Sequence, residues 1–227
     1  MSKRFRDLPP HWQRVFALEW ESLCKGSKAI AAVIADADGN ILAEGRNQTA
    51  EPAIPNPAAA HAETEAVRSL DVSRFPDVKH YILYAGLEPC IMCMGTLVMG
   101  GIRHIEIAAQ DDFGGAMGLI PQFAFTRAKQ MDIRRTEPLL GDMQRAFQTL
   151  RELLYNRDAA KLSRMLTDFS VHNRKGVEAA RNWMQQGSLT EKNAADYTAE
   201  EIFDTLSQIM ERNDSNANFR KTACTGQ

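Results

Sequence analysis

The chain has 227 residues, which is long enough for one domain of ordinary size with an apolar core and for an appendage. Hydrophobic residues make up 44% and charged residues 25%, as in water-soluble globular proteins. The sequence contains no run of about 18 apolar residues, so no membrane span is predicted. The net charge of −2 argues against a general polynucleotide binder, although it allows a local basic patch.

The first two thirds of the sequence alternate between strand and helix patterns. Residues 10–25 have the spacing of an amphipathic helix, and the apolar runs 30–35 and 41–45 flank an Asp-Gly turn typical of a hairpin. Further strands are predicted over 79–87, 104–109 and 131–136, and further helices over 61–70, 90–100 and 141–155. Because parallel strands need crossover helices, this order predicts an α/β fold with a three-layer α/β/α mixed sheet.

The composition changes after Arg157, where strand patterns end. Three more helices are predicted, over 159–169, 176–186 and 198–212. Thr198 and Glu201 form a capping box at the start of the last one. The apolar stripes of these helices predict packing against the core or a partner subunit, where the segment would cap a pocket or mediate a dimer.

These patterns divide the chain into three parts. Residues 1–157 are predicted to form the main domain, 158–212 a helical C-terminal extension, and 213–227 a disordered polar tail. Within the main domain, the helix over 90–100 carries Met and Leu on most faces and is predicted to be largely buried.

The four cysteines do not suggest a disulfide framework. The N-terminal residues lack the apolar stretch of a secretory signal, which predicts a cytoplasmic protein with reduced thiols. The close pair Cys90 and Cys93 then indicates metal or redox chemistry. We expect Cys24 to pack on its helix and Cys224, in the polar tail, to have no structural role.

Cys90 and Cys93 open one predicted helix, and His61 opens an earlier one. The spacing of three places both thiols on one helical face near the N-terminus, where the helix dipole favours thiolate. Thiolates and imidazole are ligands that zinc prefers. Since only three ligands are evident, and catalytic zinc sites leave the fourth position to water, the sequence predicts one catalytic zinc ion per chain.

Two alternatives stay open at this point. A structural zinc ion would need a fourth protein ligand, for which the candidates are Cys24, His80 and His104. A catalytic carboxylate is predicted at Glu63, two residues after His61, whereas helical periodicity alone favours Glu65, four residues after it.

The HAE motif of residues 61–63 and the PCIMC motif of residues 89–93 together match the signature of zinc deaminases. Over roughly residues 10–155 the chain resembles the cytidine deaminase-like superfamily. Residues 87–95 (LEPCIMCMG) are most similar to its tRNA adenosine deaminase and guanine deaminase branch. Asn47 also matches a base-contacting asparagine of that branch.

The resemblance implies a mechanism and a set of site residues. Zinc would hold a water molecule or hydroxide that attacks the amine-bearing ring carbon, and Glu63 would transfer its proton. Asn47 would bind the base, and the backbone near Ala62 and Leu87 would shape the pocket. The resemblance also implies a homodimer.

A loop after the strand ending at Ala109 offers further candidates at the carboxyl edge of the sheet. Phe113 is a candidate for stacking on a base and Asp112 for binding an exocyclic amine. The alternative is that Phe113 packs under the loop while Asp111 and Asp112 are solvated.

Three functions follow from these observations. The first is a zinc-dependent hydrolytic deaminase that releases ammonia from a small base, nucleoside or related amino-heterocycle, without a membrane partner. The second is a tRNA adenosine deaminase, which would form inosine. The third, which Glu63 argues against, is a zinc-stabilised interaction module without activity.

Overall fold

The computed structural model describes residues 3–224, with side chains up to residue 215. A five-stranded sheet lies at the centre of this part of the chain, in the order β2-β1-β3-β4-β5. The strands are β1 (Ala31–Ala35), β2 (Ile41–Arg46), β3 (Ile82–Leu87), β4 (His104–Ala109) and β5 (Asp132–Arg135). β1 is antiparallel to both neighbours, whereas β3, β4 and β5 are parallel to one another. The carboxyl ends of β2, β3 and β4 therefore meet at one edge of the sheet.

Helices cover both faces of the sheet. They are α1 (Pro10–Cys24), α2 (Ala62–Ser69), α3 (Ile91–Gly100), α4 (Ala124–Arg127), α5 (Pro138–Tyr155), α6 (Ala159–Gln185) and α7 (Ala199–Cys224). Successive strand residues face opposite sides, so that Val33 joins the apolar core under α1 and α5 while Ile34 joins the core under α2 and α3. The predicted three-layer α/β/α mixed sheet is confirmed.

Close packing of β2 against α2 sets the position of the α2 N-terminus. A Cβ atom on Gly45 would lie 2.2 Å from the backbone oxygen of Ala62. Only glycine allows the strand and the helix to approach this closely. The approach brings His61, which precedes α2, to the carboxyl edge of the sheet.

The expectation that residues 90–100 are largely buried is wrong for one face of α3. Cys93, Met94, Leu97 and Val98 are buried, whereas Ile91 is 69% exposed. On the same surface Met99 is 75% exposed, and Phe123 and Phe125 beside it are more than half exposed. The helix rests on the sheet along one stripe only, so its high apolar content extends onto an outer face. We call the groove lined by Ile91, Met94, Met99, Phe123 and Phe125 the apolar groove.

The C-terminal extension shares a core with the main domain. Trp183 of α6 and Phe203 of α7 belong to the same buried cluster as Phe16 and Phe147. The Phe16 and Phe203 rings pack edge to face with centroids 5.3 Å apart. The extension therefore packs against α1 and α5, as its apolar stripes predicted.

The structure changes the predicted helix boundaries in the extension. The helices expected over 159–169 and 176–186 form one helix, α6, with a kink at Asn173, where φ is −128° and ψ is 46°. Thr198 and Glu201 make the predicted capping box, with the Glu201 N–H donating to Thr198 Oγ1 over 3.2 Å.

α7 continues past Arg212 to Cys224, so it is longer than the helix predicted over 198–212, while disorder of the tail over 213–227 stays a prediction. Asp214 of α7 pairs with Lys175 of α6 over 2.6 Å, and this contact extends the packing of the two helices beyond the predicted end. The Cys224 side chain and residues 225–227 of the predicted tail lie outside the part of the chain that is described. Among the helices of residues 3–224, none combines the length and the apolar character that a membrane span requires.

Glu19 is a fully buried carboxyl group between α1, β3 and α5. Neither carboxylate oxygen has a hydrogen-bond partner of normal geometry, although the Gln144 side chain and the Ala31 backbone lie near it. Burial raises the pKa of Glu19 well above its ordinary value of 4.5. The folded protein therefore keeps this proton at a pH at which the unfolded chain has lost it, and the contribution to stability falls as pH rises above 4.5.

We expect Glu19→Gln to remove this pH dependence, because the amide has a similar shape and cannot ionise. Its unfolding free energy, relative to that of the parent chain, should increase by up to about 1.4 kcal/mol per pH unit above the ordinary glutamate pKa. Denaturant unfolding between pH 5 and pH 8 measures this difference, with the exposed α7 variant Glu200→Gln as control. A difference that stays constant with pH would contradict the assignment.

Candidate active site

Two helix N-termini converge at the carboxyl edge of the sheet. His61 is the N-cap residue of α2, and Cys90, three residues after the end of β3, is the N-cap residue of α3. Cys93 lies in the first turn of α3. The unpaired N–H groups of both first turns give this point a positive potential, which favours thiolate.

The three donor atoms fit a zinc ion. His61 Nδ1 lies 3.5 Å from Cys90 Sγ and 3.7 Å from Cys93 Sγ, and the two sulfurs are 3.6 Å apart. Tetrahedral coordination with ordinary zinc–ligand bonds requires separations of about 3.6 Å between nitrogen and sulfur and about 3.8 Å between sulfurs. The side chains are thus placed at the spacing of zinc ligands.

Proton affinities at the cluster also suit a metal. Hydrogen bonds from Cys93 and His61 hold the pKa of the Cys90 thiol well below its usual range. The pKa of Cys93 is raised by its interaction with Cys90 and by burial, so the two thiols share one proton before a cation replaces it.

The candidates for a fourth protein ligand lie elsewhere. Among the described residues that bear ligand atoms, only His61, Cys90 and Cys93 form such a group. His104 begins β4 and His80 precedes β3, so both lie at the opposite, amino edge of the parallel strands, where His104 faces Asp132. Cys24 ends α1, and burial raises the pKa of its thiol to about 11. Among the described residues, the three donors thus have no fourth protein ligand beside them, which is typical of catalytic zinc sites.

Glu63 and Glu65 point in different directions. Glu63 is 4% exposed, and its carboxyl group lies within hydrogen-bonding reach of the Cys93 thiol. The carboxylate also interacts electrostatically with the His61 imidazole. Burial raises the pKa of Glu63. Glu65 instead pairs with Arg68 at the surface over 3.0 Å. The geometry places Glu63, not Glu65, at the cluster.

Two residues that sequence reasoning missed support the cluster. Thr64 Oγ1 lies 3.6 Å from Cys93 Sγ, which makes it a hydrogen-bonding neighbour of a ligand sulfur. The only sequence signal was its position three residues after His61, on the same side of the first turn.

Glu88 is the second such residue, and it holds the loop after β4 against the site. Its Oε2 accepts the Asp111 N–H and its Oε1 the Met117 N–H, both over 3.2 Å. A Cβ on Gly115 would lie 2.4 Å from both the Asp111 oxygen and Glu88 Cδ. Gly115 itself bridges to Cys90. A glycine is therefore needed where the loop crosses Glu88 beside a candidate ligand.

The loop residues predicted to bind substrate have separate environments. Phe113 is 93% exposed, so the alternative that it packs under the loop does not hold. Asp112 accepts a hydrogen bond from His172 Nε2 of α6 over 2.7 Å, and this bond connects the loop to the extension. Both lie at the carboxyl edge, and their contact with a substrate stays a prediction.

Asn47, Ala62 and Leu87 lie at the same edge. The Asn47 side chain is buried, and its Oδ1 accepts the N–H and the hydroxyl of Thr49 over 3.1 and 2.7 Å. This leaves Asn47 Nδ2 as a donor. Ala62 begins α2, where its N–H has no partner within the helix, and Leu87 ends β3. Their substrate contacts likewise stay predictions.

Comparison with known proteins identifies the family. The sequence model described as the cytidine and deoxycytidylate deaminase zinc-binding region matches residues 11–109. The tRNA-specific adenosine deaminase of Agrobacterium fabrum is 31% identical over 111 residues, which cover 47% of this chain and 69% of that enzyme. The chain belongs to the cytidine deaminase-like superfamily of zinc deaminases. It is therefore a hydrolytic deaminase.

Further relatives agree on the fold. The guanine deaminase of Bacillus subtilis is 28% identical over 127 residues, covering 56% of this chain and 80% of that enzyme. The solved structure of the guanine deaminase from Nitrosomonas europaea superposes with a TM-score of 0.52 at 20% identity, covering 63% of this chain and 83% of that chain. The region matched by the family model contains the three candidate ligands and Glu63.

We expect the zinc content of the purified deaminase to depend on the cluster. His61→Ala and Cys93→Ser should each lose most bound zinc, because two remaining donors hold the ion poorly, whereas Cys24→Ser should retain about one zinc ion per chain. Thr64→Val should keep the ligands but weaken zinc affinity by about tenfold. Mass-spectrometric metal analysis and competition with a chelator measure both effects. Full zinc retention in His61→Ala would contradict the assignment.

Proposed function

We propose that this deaminase removes the amino group of a small nucleobase-type heterocycle and releases ammonia, at a zinc ion held by His61, Cys90 and Cys93. The observation that carries the proposal is the buried Glu63 carboxyl beside a three-donor cluster that has no fourth protein ligand among the described residues. A structural zinc site has no use for such a carboxylate.

The proposed reaction divides between the metal and the chain. A zinc ion held by His61, Cys90 and Cys93 would supply a water molecule whose pKa is lowered toward about 7. Glu63 would take a proton from this water as its oxygen bonds to the amine-bearing ring carbon, and would deliver that proton to the ring nitrogen. Glu63 would then take the second proton, from the new hydroxyl group on the ring carbon, and give it to the leaving amine, so that the carbon–nitrogen bond breaks, a carbonyl group forms and ammonia departs. Burial of Glu63 suits this role because it increases the affinity of the carboxylate for the proton.

The chain's polar groups at the sheet edge would orient the ring. Asn47 Nδ2 would donate to an acceptor of the base, and the Ala62 N–H would donate to a second acceptor. Phe113 would stack on the exposed face of the base and Asp112 would contact an exocyclic amine. Leu87 would form part of the apolar wall.

A small substrate is proposed rather than a tRNA loop. The chain has a net charge of −2, and α6 lies beside the loop that carries Phe113, held there by the His172–Asp112 contact. In this proposal the extension would narrow the approach of a large substrate to the candidate site. The tRNA adenosine deaminase activity of similar proteins is the second candidate, and it predicts inosine formation in tRNA and salt-sensitive tRNA binding. A cytoplasmic location stays a prediction.

We expect Glu63→Gln to retain zinc and to lower the rate of ammonia release by about 10²- to 10⁴-fold, because the amide cannot carry the proton. Glu65→Gln, a change of the same kind two residues away, should retain activity. Ammonia release from guanine, cytosine, adenosine, cytidine and related triazines measures the rates and identifies the base. Undiminished turnover by Glu63→Gln would refute the mechanism.

The apolar groove supports the proposed homodimer. Its exposed Met and Phe side chains form a continuous apolar surface, which in soluble proteins marks an interaction site. Met99 lies at the outer face of α3, so a charge there would be buried in a partner contact at a high cost.

We therefore expect Met99→Glu to shift the chain from dimer to monomer. Val72→Glu, at a position of similar exposure outside the groove, should leave the dimer intact. Light scattering during size-exclusion chromatography at several concentrations distinguishes the states. A parent chain that is monomeric throughout would exclude the homodimer.

A further inference from the structure

The largest cavity described beside the candidate active site has a volume of about 850 Å³ and lies between α5 and α6. Its walls are strongly cationic. Three carboxylates line it, Asp111, Glu152 and Asp168, against a larger set of cations. These cations are Lys28, Arg145, Arg151, Arg157, Lys161 and Arg164. The cavity is thus positive although the whole chain is slightly acidic.

Half of these cations already have partners. Arg145 is buried, donates to Gln148 Oε1 over 2.6 Å and to the Gln110 oxygen over 2.7 Å, and lies 3.5 Å from Asp111. Arg151 pairs with Glu152 over 2.9 Å, and Arg157 pairs with Glu191 outside the cavity. These contacts fix the arginine side chains in the wall.

The other half are free to bind an anion. Lys28, Lys161 and Arg164 have exposed side chains and form no salt bridge with any residue whose side chain the structure describes. The Asp168 carboxylate, in turn, has no salt bridge within that same part of the chain. Cations therefore outnumber carboxylates at the cavity, although the Asp158 carboxylate interacts with Lys161 and Arg164, and the net positive charge attracts anions most strongly at low ionic strength.

The cavity adjoins the candidate active site along two segments. Lys28 is close enough to His61 for its charge to act on the imidazole, and it lies two residues before Ile30, whose oxygen accepts the Asn47 N–H over 2.9 Å. On the other side, Asp111 and Phe113 line the cavity, and their loop reaches Cys90 through Gly115. Lys28 on one side and the loop of Asp111 and Gly115 on the other are therefore the segments that the candidate site and the cavity share.

We propose that the cavity binds the phosphate of the substrate, so that this deaminase acts on a nucleoside monophosphate in preference to the free base or nucleoside. The proposal rests on the proposed function, whose ring chemistry it leaves unchanged. Arginine and lysine at the mouth supply the charge-assisted hydrogen bonds that a phosphate requires. The volume accommodates a sugar phosphate, and its position between two helices favours a mononucleotide over a polynucleotide.

The test compares each base, its nucleoside and the 5′-monophosphate as substrates of the zinc-loaded full chain. We expect kcat/KM for one monophosphate to exceed that of its nucleoside by at least about tenfold, mainly through a lower KM, and inorganic phosphate to compete. Lys161→Gln/Arg164→Gln should remove this preference. Arg181→Gln/Lys192→Gln, which removes two exposed cations of the same extension outside the cavity, should retain it. Thermal unfolding of both double variants checks that they fold.

A binding measurement separates this proposal from the proposed function. Calorimetry with inorganic phosphate and the monophosphates on Glu63→Gln, which cannot turn over, should detect binding that is lost when Lys161→Gln/Arg164→Gln is added. Phosphate binding without deamination of any compound would refute the proposed function and support the anion site. Equal kcat/KM for nucleoside and monophosphate, a preference that survives Lys161→Gln/Arg164→Gln, or deamination of tRNA alone would overturn the mononucleotide proposal.

Discussion

The convergence of two helix N-termini at the carboxyl edge of a parallel sheet is the constraint on which the rest of the structure depends. α2 and α3 each follow a strand that ends at this edge, and each begins with a candidate metal ligand, His61 and Cys90. Their unpaired N–H groups favour anionic sulfur, and the approach of β2 at Gly45 holds α2 in place. The donor atoms lie at the ends of helices, so no flexible loop has to move to bring them together.

The loop after β4 connects this rigid centre to the C-terminal extension. Glu88 accepts the backbone N–H groups of Asp111 and Met117 from the two ends of the loop, and His172 of α6 contacts Asp112 between them. The extension therefore reaches the site through a polar contact as well as through the apolar core that it shares with α1 and α5. A helical segment outside the region matched by the family model is thus in contact with the loop that carries the candidate substrate-binding residues.

Much of the fold follows from local patterns, because strand and helix periods reflect burial on one face. The hairpin of β1 and β2, the strand at 104–109 and the helix at Pro10 were predicted within a residue or two. The exposed outer face of α3 was not predicted. A high apolar content does not show whether another surface covers that face of the helix. The kink at Asn173 and the continuation of α7 past Arg212 depend on packing between α6 and α7, which no local signal contains.

The sequence by itself determined which side chains are candidates for the site: three candidate donors, His61, Cys90 and Cys93, and an accompanying carboxylate. Residue type and spacing are sufficient for this, since sulfur and imidazole donors in a two-part motif have few other uses. Only the tertiary structure decided between Glu63 and Glu65, excluded His80 and His104 by placing them at the opposite sheet edge, and brought Thr64 to Cys93. It also brought cations between positions 28 and 164 together in one cavity, which the slightly negative net charge of the whole chain does not reveal. Five of the six cations lie within residues 145–164 but on α5, on α6 and in the link between them, and only the packing of α6 on α5 arranges them with Lys28 around one cavity.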